Sequence, residues 1–195
     1  MSSNEPLPRS PELMSADDTA LLVVDVQEKL MPLVRHHERI IWNIRRLIDA
    51  AEALQMPIRC TEQYPQGLGH TVPQLAERLP DPPSKTEFSC AACGQLFTPL
   101  LEKGVHRVLV TGIETHVCVQ QTVYDLMAAG FVVYVAVDAT DSRYKLDYRT
   151  ALGRMDSAGA NLTTTEAAMF EWCRRSDVPQ FKRISQLVKE TAPDD

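Results

Sequence analysis

The sequence predicts an α/β protein built on a parallel sheet, and three observations carry that prediction. Short apolar runs recur at 19–24, 108–110 and 131–137, the pattern of strands covered on both faces. Stretches with apolar residues at helical spacing separate them. Each run also closes on a polar residue or a glycine, so strand and helix alternate along the chain, as in a layered α/β domain. The length of 195 residues suits one sizeable core and is too short for two.

Residues 1–14 are polar and proline-bearing and are expected to form a flexible arm, 15–190 a single domain, and 191–195 a frayed acidic tail. The first strand, 19–24, ends in Asp25. A carboxylate there faces the carboxyl edge of the sheet, where open α/β folds place their ligand crevice. The competing reading is a loop aspartate that caps the turn through Gln27 and Glu28. Beyond Pro32, Ile40, Ile41, Ile44, Leu47, Ile48, Ala51 and Leu54 mark one face of a long helix, a core stripe. Residues 57–61 read as a second strand and 62–70 as a loop, with Gln63, Tyr64 and His70 as candidate pocket liners or ordinary loop polarity. Gly67 and Gly69 lack the third glycine and the strand–turn–helix context of a dinucleotide fingerprint. A short helix is expected at 73–79, with proline near its start. Residues 81–89 approach the sheet edge a third time and carry Lys85. Alone, a lysine is solvated surface. Beside a thiol and a carboxylate, its ammonium would favour thiolate while the carboxylate accepts and returns the proton.

The chain is organised around 105–130. Gly112 breaks the apolar run, and Val119, Val123, Leu126 and Met127 then fall on one helical face, with Gly130 just past the helix end. Thr115 is the expected N-cap. That places Cys118 in the first helical turn, over the positive end of the dipole, where a thiol pKa falls and thiolate is favoured. A buried core cysteine is the bland alternative. Downstream, 131–137 is a strand, 148–159 a helix, 161–165 a last strand, and 166–174 and 181–190 closing helices.

A formal net charge of −6 argues against nucleic acid as the main partner. No apolar run is long enough to span a bilayer, and the N-terminus shows no signal-peptide segment. Five cysteines, an odd number, point to reduced thiols and a cytoplasmic location. Cys90 and Cys93 form a C-x-x-C pair without a second pair or a histidine pair to complete a zinc site, so coincidence is the better reading.

Three segments, Leu-Leu-Val-Val-Asp-Val-Gln at 21–27, Lys-Thr-Glu-Phe-Ser at 85–89 and Thr-Gly-Ile-Glu-Thr-His-Val-Cys at 111–118, together resemble the isochorismatase-like cysteine hydrolase family. Asp138-Ala139 and the Ala-Gly-Ala-Asn at 158–161 fit it as well, so the match covers roughly residues 15–175. The resemblance implies a Rossmann-like three-layer sandwich with a six-stranded parallel sheet. It implies a triad of Asp25, Lys85 and Cys118, a cis peptide at Ile113–Glu114, and an oxyanion hole from the backbone N–H groups of Glu114 and Cys118. Gln27, Gln63, Tyr64, Phe88, Ile113 and His116 become candidate pocket liners, and a homo-oligomer is expected. Metal-binding nicotinamidases of the superfamily carry an Asp-x-His motif and a further His after the second strand. Glu62-Gln63-Tyr64 stands there instead, so no catalytic metal and no other cofactor is expected. The segment 61–69 resembles the isochorismatase-domain-containing branch, whose substrates are poorly defined. True isochorismatases cleave a vinyl ether without a cysteine nucleophile, so Cys118 favours amide-type chemistry. The expectation is metal-independent hydrolysis of a small amide-like C–N bond through a thioester, on a small-molecule substrate, with neither nucleic acid nor membrane as partner. The alternatives are a binding or scaffold protein with a vestigial pocket, and a thiol redox protein using Cys118 or Cys90 and Cys93.

Overall fold

A computed structural model describes residues 7–79 and 81–193. Its six strands are β1 (Thr19–Val24), β2 (Ile58–Gln63), β3 (Ser84–Lys85), β4 (Arg107–Ile113), β5 (Val132–Asp141) and β6 (Asn161–Thr163). All pairings are parallel, in the order β3-β2-β1-β4-β5-β6. The helices are α1 (His37–Ala53), α2 (Pro65–Leu68), α3 (Pro73–Ala76), α4 (Thr98–Glu102), α5 (Gln120–Ala128), α6 (Lys145–Ser157), α7 (Thr165–Cys173) and α8 (Phe181–Val188).

The layering follows from the period of two along a strand. Leu21 and Val23 of β1, Leu109 of β4 and Tyr134 and Ala136 of β5 enter a cluster with the apolar stripe of α1 and with Met169, Trp172, Ile184 and Leu187. Ala20, Leu22 and Val24, with Val108, Val110, Val133 and Val135, enter a second cluster with Val123, Leu126, Met155 and Leu100 on the other face. A continuous apolar run thus feeds two cores at once. Asp49 of α1 ties the first layer together: it is buried, pairs with Arg45 at 2.8 Å and Arg183 of α8 at 3.0 Å, and also meets Arg78.

From β1 the chain winds outward through β2 to β3, then returns to β4 on the other side of β1 and winds outward again. The reversal lies between β1 and β4, and the crevice beyond their carboxyl ends is where open α/β sheets bind ligands. Some element boundaries differ from the sequence expectation. The helix at 73–79 ends at Ala76, the loop at 62–70 contains α2, and β5 extends to Asp141. The helix start expected after Phe88-Ser89 is a single turn, Cys90–Ala92, capped by Ser89; α4 and the turn Gly94–Leu96 carry too little periodicity to be foreseen. Of the expected arm and tail, 1–6 and 194–195 lie outside the described residues. Arg9 donates to the Glu171 carbonyl at 2.8 Å, Met14 N–H to the Glu171 carboxylate at 2.9 Å, and Tyr134 OH to the Glu12 carbonyl at 2.7 Å. The chain from Arg9 to Met14 is therefore held against α7 and β5.

Candidate active site

Parallel register levels four strand ends. Val24 pairs with Thr61 on one side and Gly112 on the other, and Gln63 pairs with Lys85. Asp25 follows directly, with φ +51°, a left-handed conformation that aspartate tolerates better than most residues. Its carboxylate is wholly buried. Oδ2 accepts from Lys85 Nζ at 2.7 Å and Oδ1 from Thr61 Oγ1 at 2.8 Å. Lys85, 1% exposed in its side chain, also donates to Gln63 Oε1 at 2.8 Å and to the Phe88 carbonyl at 3.0 Å. An ammonium has three protons, and all three are committed. Burial pulls the Lys85 pKa down, but the charge of Asp25 leads a set of attractions that carries it above the ordinary lysine value.

Cys118 arrives from the other side of the switch point. Gly112 sits at φ +107°, so close to β1 that an added Cβ would strike the Val24 carbonyl oxygen and lie 2.6 Å from its nitrogen. The Ile113–Glu114 peptide is cis. Thr115–Val119 then forms one π-helical turn that feeds α5. The Glu114 carbonyl accepts from Val117 N–H at 3.1 Å and Val119 N–H at 3.2 Å, passing over the Cys118 N–H between them. Thr115 does not cap this turn. Its hydroxyl is buried 2.7 Å from Thr140 Oγ1, which donates its own proton to the Gly112 carbonyl at 2.7 Å, so Thr115 must donate to Thr140. Arg143 donates from its backbone and from Nε to the Glu114 carboxylate at 3.2 and 2.9 Å, and His116 Nδ1 pairs with Ser142 Oγ at 2.9 Å. The turn is stapled to the segment leaving β5.

The expectation of a lowered Cys118 pKa is overturned. The thiol is 6% exposed. Burial, then the charge of Asp25 and a hydrogen bond with it, push its pKa well above the ordinary thiol range, and the opposing pull of Lys85 is outweighed. The resting group is a buried thiol beside a carboxylate rather than a thiolate on a helix dipole. A second thiol lies close by. Cys90 Sγ is 3.2 Å from Thr61 Oγ1 and its N–H donates to Thr122 Oγ1 at 2.8 Å, while burial and then the Asp25 charge push its pKa up to about 11. All five cysteines are unbridged thiols.

The expected pocket liners divide. Gln63 serves Lys85 through Oε1 and fixes Thr86 through Nε2 at 2.9 Å, so both ends of its amide are occupied. Gln27 is buried and clamps β2, accepting from Gln63 N–H at 2.7 Å and donating to the carbonyls of Gln63 and Gly69 at 3.0 and 2.6 Å. Ile113 is fully buried in the α1-side cluster, opposite Cys118. None of these three is a free lining surface: Gln27 and Gln63 are held by hydrogen bonds and Ile113 by core packing. Tyr64 and Phe88 are about half exposed, and His116 is partly buried. His70 pairs with buried Glu62 at 3.1 Å. Among the described residues, no cluster of three His, Cys, Asp or Glu side chains is placed to hold a metal ion. A cavity of about 520 Å³ includes Arg35, Asp141, Arg143 and Tyr148 in its lining and shares Thr140 and Ser142 with the staples of the Cys118 turn; Asp25, Lys85 and Cys118 are not part of its wall. Sequence reasoning missed Thr61, and weighed Cys90 only as part of a redox or zinc pair. The one available signal was a hydroxyl residue in the second half of β2, where its neighbour in register, Val24, precedes Asp25.

The isochorismatase domain model matches residues 19–167. Isochorismatase domain-containing protein 2A of Mus musculus is 39% identical over 184 residues, covering 91% of this chain and 86% of that protein. The solved structure of a Caenorhabditis elegans protein described as MAR1 ribonuclease is 44% identical, with a TM-score of 0.84 over 93% of this chain and 95% of the other. YcaC of Escherichia coli, described as an octameric hydrolase of unknown specificity, is 26% identical, with a TM-score of 0.80 over 92% of each chain. With the match extending from β1 into α7, the chain belongs to the isochorismatase domain family.

Proposed function

We propose that the protein is a metal-independent cysteine hydrolase that cleaves a small amide-like C–N bond through a thioester. One observation carries the reading: a buried carboxylate, paired with Lys85 at 2.7 Å, lies close enough to the buried Cys118 for its charge to push the thiol pKa up. The thiol is protonated at rest, so it needs a base at the moment of attack. As Sγ adds to the substrate carbonyl, its proton passes to Asp25, and the charge on the carbonyl oxygen is met by the N–H groups of Glu114 and Cys118. The tetrahedral intermediate collapses, the C–N bond breaks, and Asp25 returns the proton to the leaving amine. Water then attacks the thioester with Asp25 as base, releasing the acid and restoring the thiol. Lys85 takes no part in proton transfer, because its three protons are held by Asp25, Gln63 and Phe88. It holds Asp25 in a buried ion pair.

The octameric state described for the Escherichia coli relative supports a homo-oligomer here, and five unbridged thiols fit a reducing, cytoplasmic setting. Among the described residues no helix is long and apolar enough to cross a membrane. The test is a panel of small amides, read by intact mass for an acyl adduct and by release of amine. Turnover is expected to vanish in Cys118→Ser and to fall about 10²–10⁴-fold in Asp25→Asn. A Cys118→Ser protein with full turnover would overturn the scheme. The worm relative's description as a ribonuclease makes RNA a necessary control substrate. Lys85 has no donor left for a phosphate, so no Cys118-dependent RNA cleavage is expected.

A further inference from the structure

We propose that Thr61 is a positioning residue for Asp25, and that Cys90 is the donor that orients it. This rests on Asp25 acting as the base for Cys118. The carboxylate has two oxygens to control. Lys85 holds Oδ2 at 2.7 Å, while Thr61 Oγ1 holds Oδ1 at 2.8 Å from the neighbouring strand. A threonine hydroxyl has one proton, and an ionised carboxylate can only accept, so that proton points at Asp25. The contact of 3.2 Å between Thr61 Oγ1 and Cys90 Sγ then has one possible polarity, with the Cys90 S–H donating to the Thr61 oxygen. Cys90 is fixed in turn by its N–H bond of 2.8 Å to Thr122 Oγ1, and Thr122 lies one helical turn beyond Cys118, so that both sit on one face of the helical segment.

The chain of contacts therefore runs from the helix bearing the nucleophile, through Cys90 and Thr61, to the base. Each member is buried: Thr61 is 1% exposed and Cys90, Thr122 and Asp25 are 0% exposed. Such a chain has few alternative arrangements, and it fixes the plane of the carboxylate so that the thiol meets a defined lone pair. Cys90 is thereby a hydrogen-bond donor in the site and not a second nucleophile. The C-x-x-C spacing to Cys93 plays no part in this role.

The test needs no substrate. Iodoacetamide, a small amide-bearing electrophile, is applied to the full chain across pH, and alkylation of Cys118 is followed by peptide mapping in wild type, Thr61→Val, Thr61→Ser, Cys90→Ala and Cys90→Ser. Thr61→Val keeps the volume and removes the hydroxyl. It is expected to slow Cys118 alkylation about ten-fold and to move the acid limb of the profile up by about one pH unit, because a hydrogen bond to the ionised carboxylate is lost. Thr61→Ser restores the hydroxyl and should return both values to wild type. Cys90→Ala should give a smaller slowing, which Cys90→Ser rescues; this pair decides the matter if Thr61→Val does not fold. A reactive wild-type Cys118 with an unchanged profile in Thr61→Val, or in Cys90→Ala, overturns the positioning role alone. A wild-type Cys118 no more reactive than buried Cys60 overturns the nucleophile reading, and the positioning role with it.

Discussion

Lys85 decides the charge state of the site while touching nothing but protein. Its ion pair with Asp25 is buried on both sides, at 1% and 0% side-chain exposure. Removing one partner of such a pair strands the other charge, at a cost of about 3–5 kcal/mol. Lys85→Met is therefore expected to lower stability by that order in urea unfolding, and adding Asp25→Asn should recover part of the loss. Equal stability in both variants would show that Asp25 is not ionised at rest. The residue types of Asp25, Lys85 and Cys118 were legible in the sequence, because each stands at a strand end or just beyond one. The direction of the Cys118 pKa was not. A helix start and a nearby lysine favour thiolate on paper, whereas burial and a carboxylate already paired with that lysine favour the thiol. Nor was the employment of Gln63, since the acceptor set of Lys85 depends on β2–β3 register, which no local pattern encodes.

At the scale of elements, the segment from Gly112 to Val119 brings Cys118 to the crevice. Gly112 presses against the backbone of β1 at a positive φ, and both properties exclude a side chain. Gly112→Ala should separate β1 from β4 or displace the turn. We expect a loss of at least about 3 kcal/mol, with Cys118 alkylation falling faster than stability in the folded fraction. Arg143 offers a contrast. Its pair with Glu114 is half exposed, and such pairs contribute about 0–1 kcal/mol. Arg143→Ala should leave the melting temperature nearly unchanged. Strands and long helices were legible here because period and composition are local properties. The π-helical turn was not: it depends on the bend at Gly112 and on the Thr115–Thr140 hydroxyl pair, which joins residues from two strand ends.

For the molecule as a whole, the thiols set a pH limit. Burial leads the causes that raise the pKa of Cys60 to about 12 and of Cys90 to about 11, and that of Cys118 shifts the same way. Unfolded thiols titrate near ~8.5, so the folded state holds more protons above that pH. Stability is full below it and falls as pH rises toward the folded values, with a slope approaching roughly 4 kcal/mol per pH unit for the three together. The raised pKa values of Lys85 and Tyr148 add to the same trend at higher pH. Denaturant unfolding under reductant at pH 8 and pH 10 should show the drop, and Cys60→Ala should shallow the slope by about a third; a flat response would contradict the burial assigned to these groups. The strand order has a temporal consequence as well. β1 is made early, yet one of its edges belongs to β4, which follows it by roughly eighty residues, or about 4–16 s of translation at ~5–20 residues/s. Through that interval the nascent half-sheet carries an open apolar edge that invites pairing with another chain. Insertion of β4 closes the edge and brings Cys118 to the side of Asp25, so maturation of the polypeptide and assembly of the proposed catalytic pair are a single event.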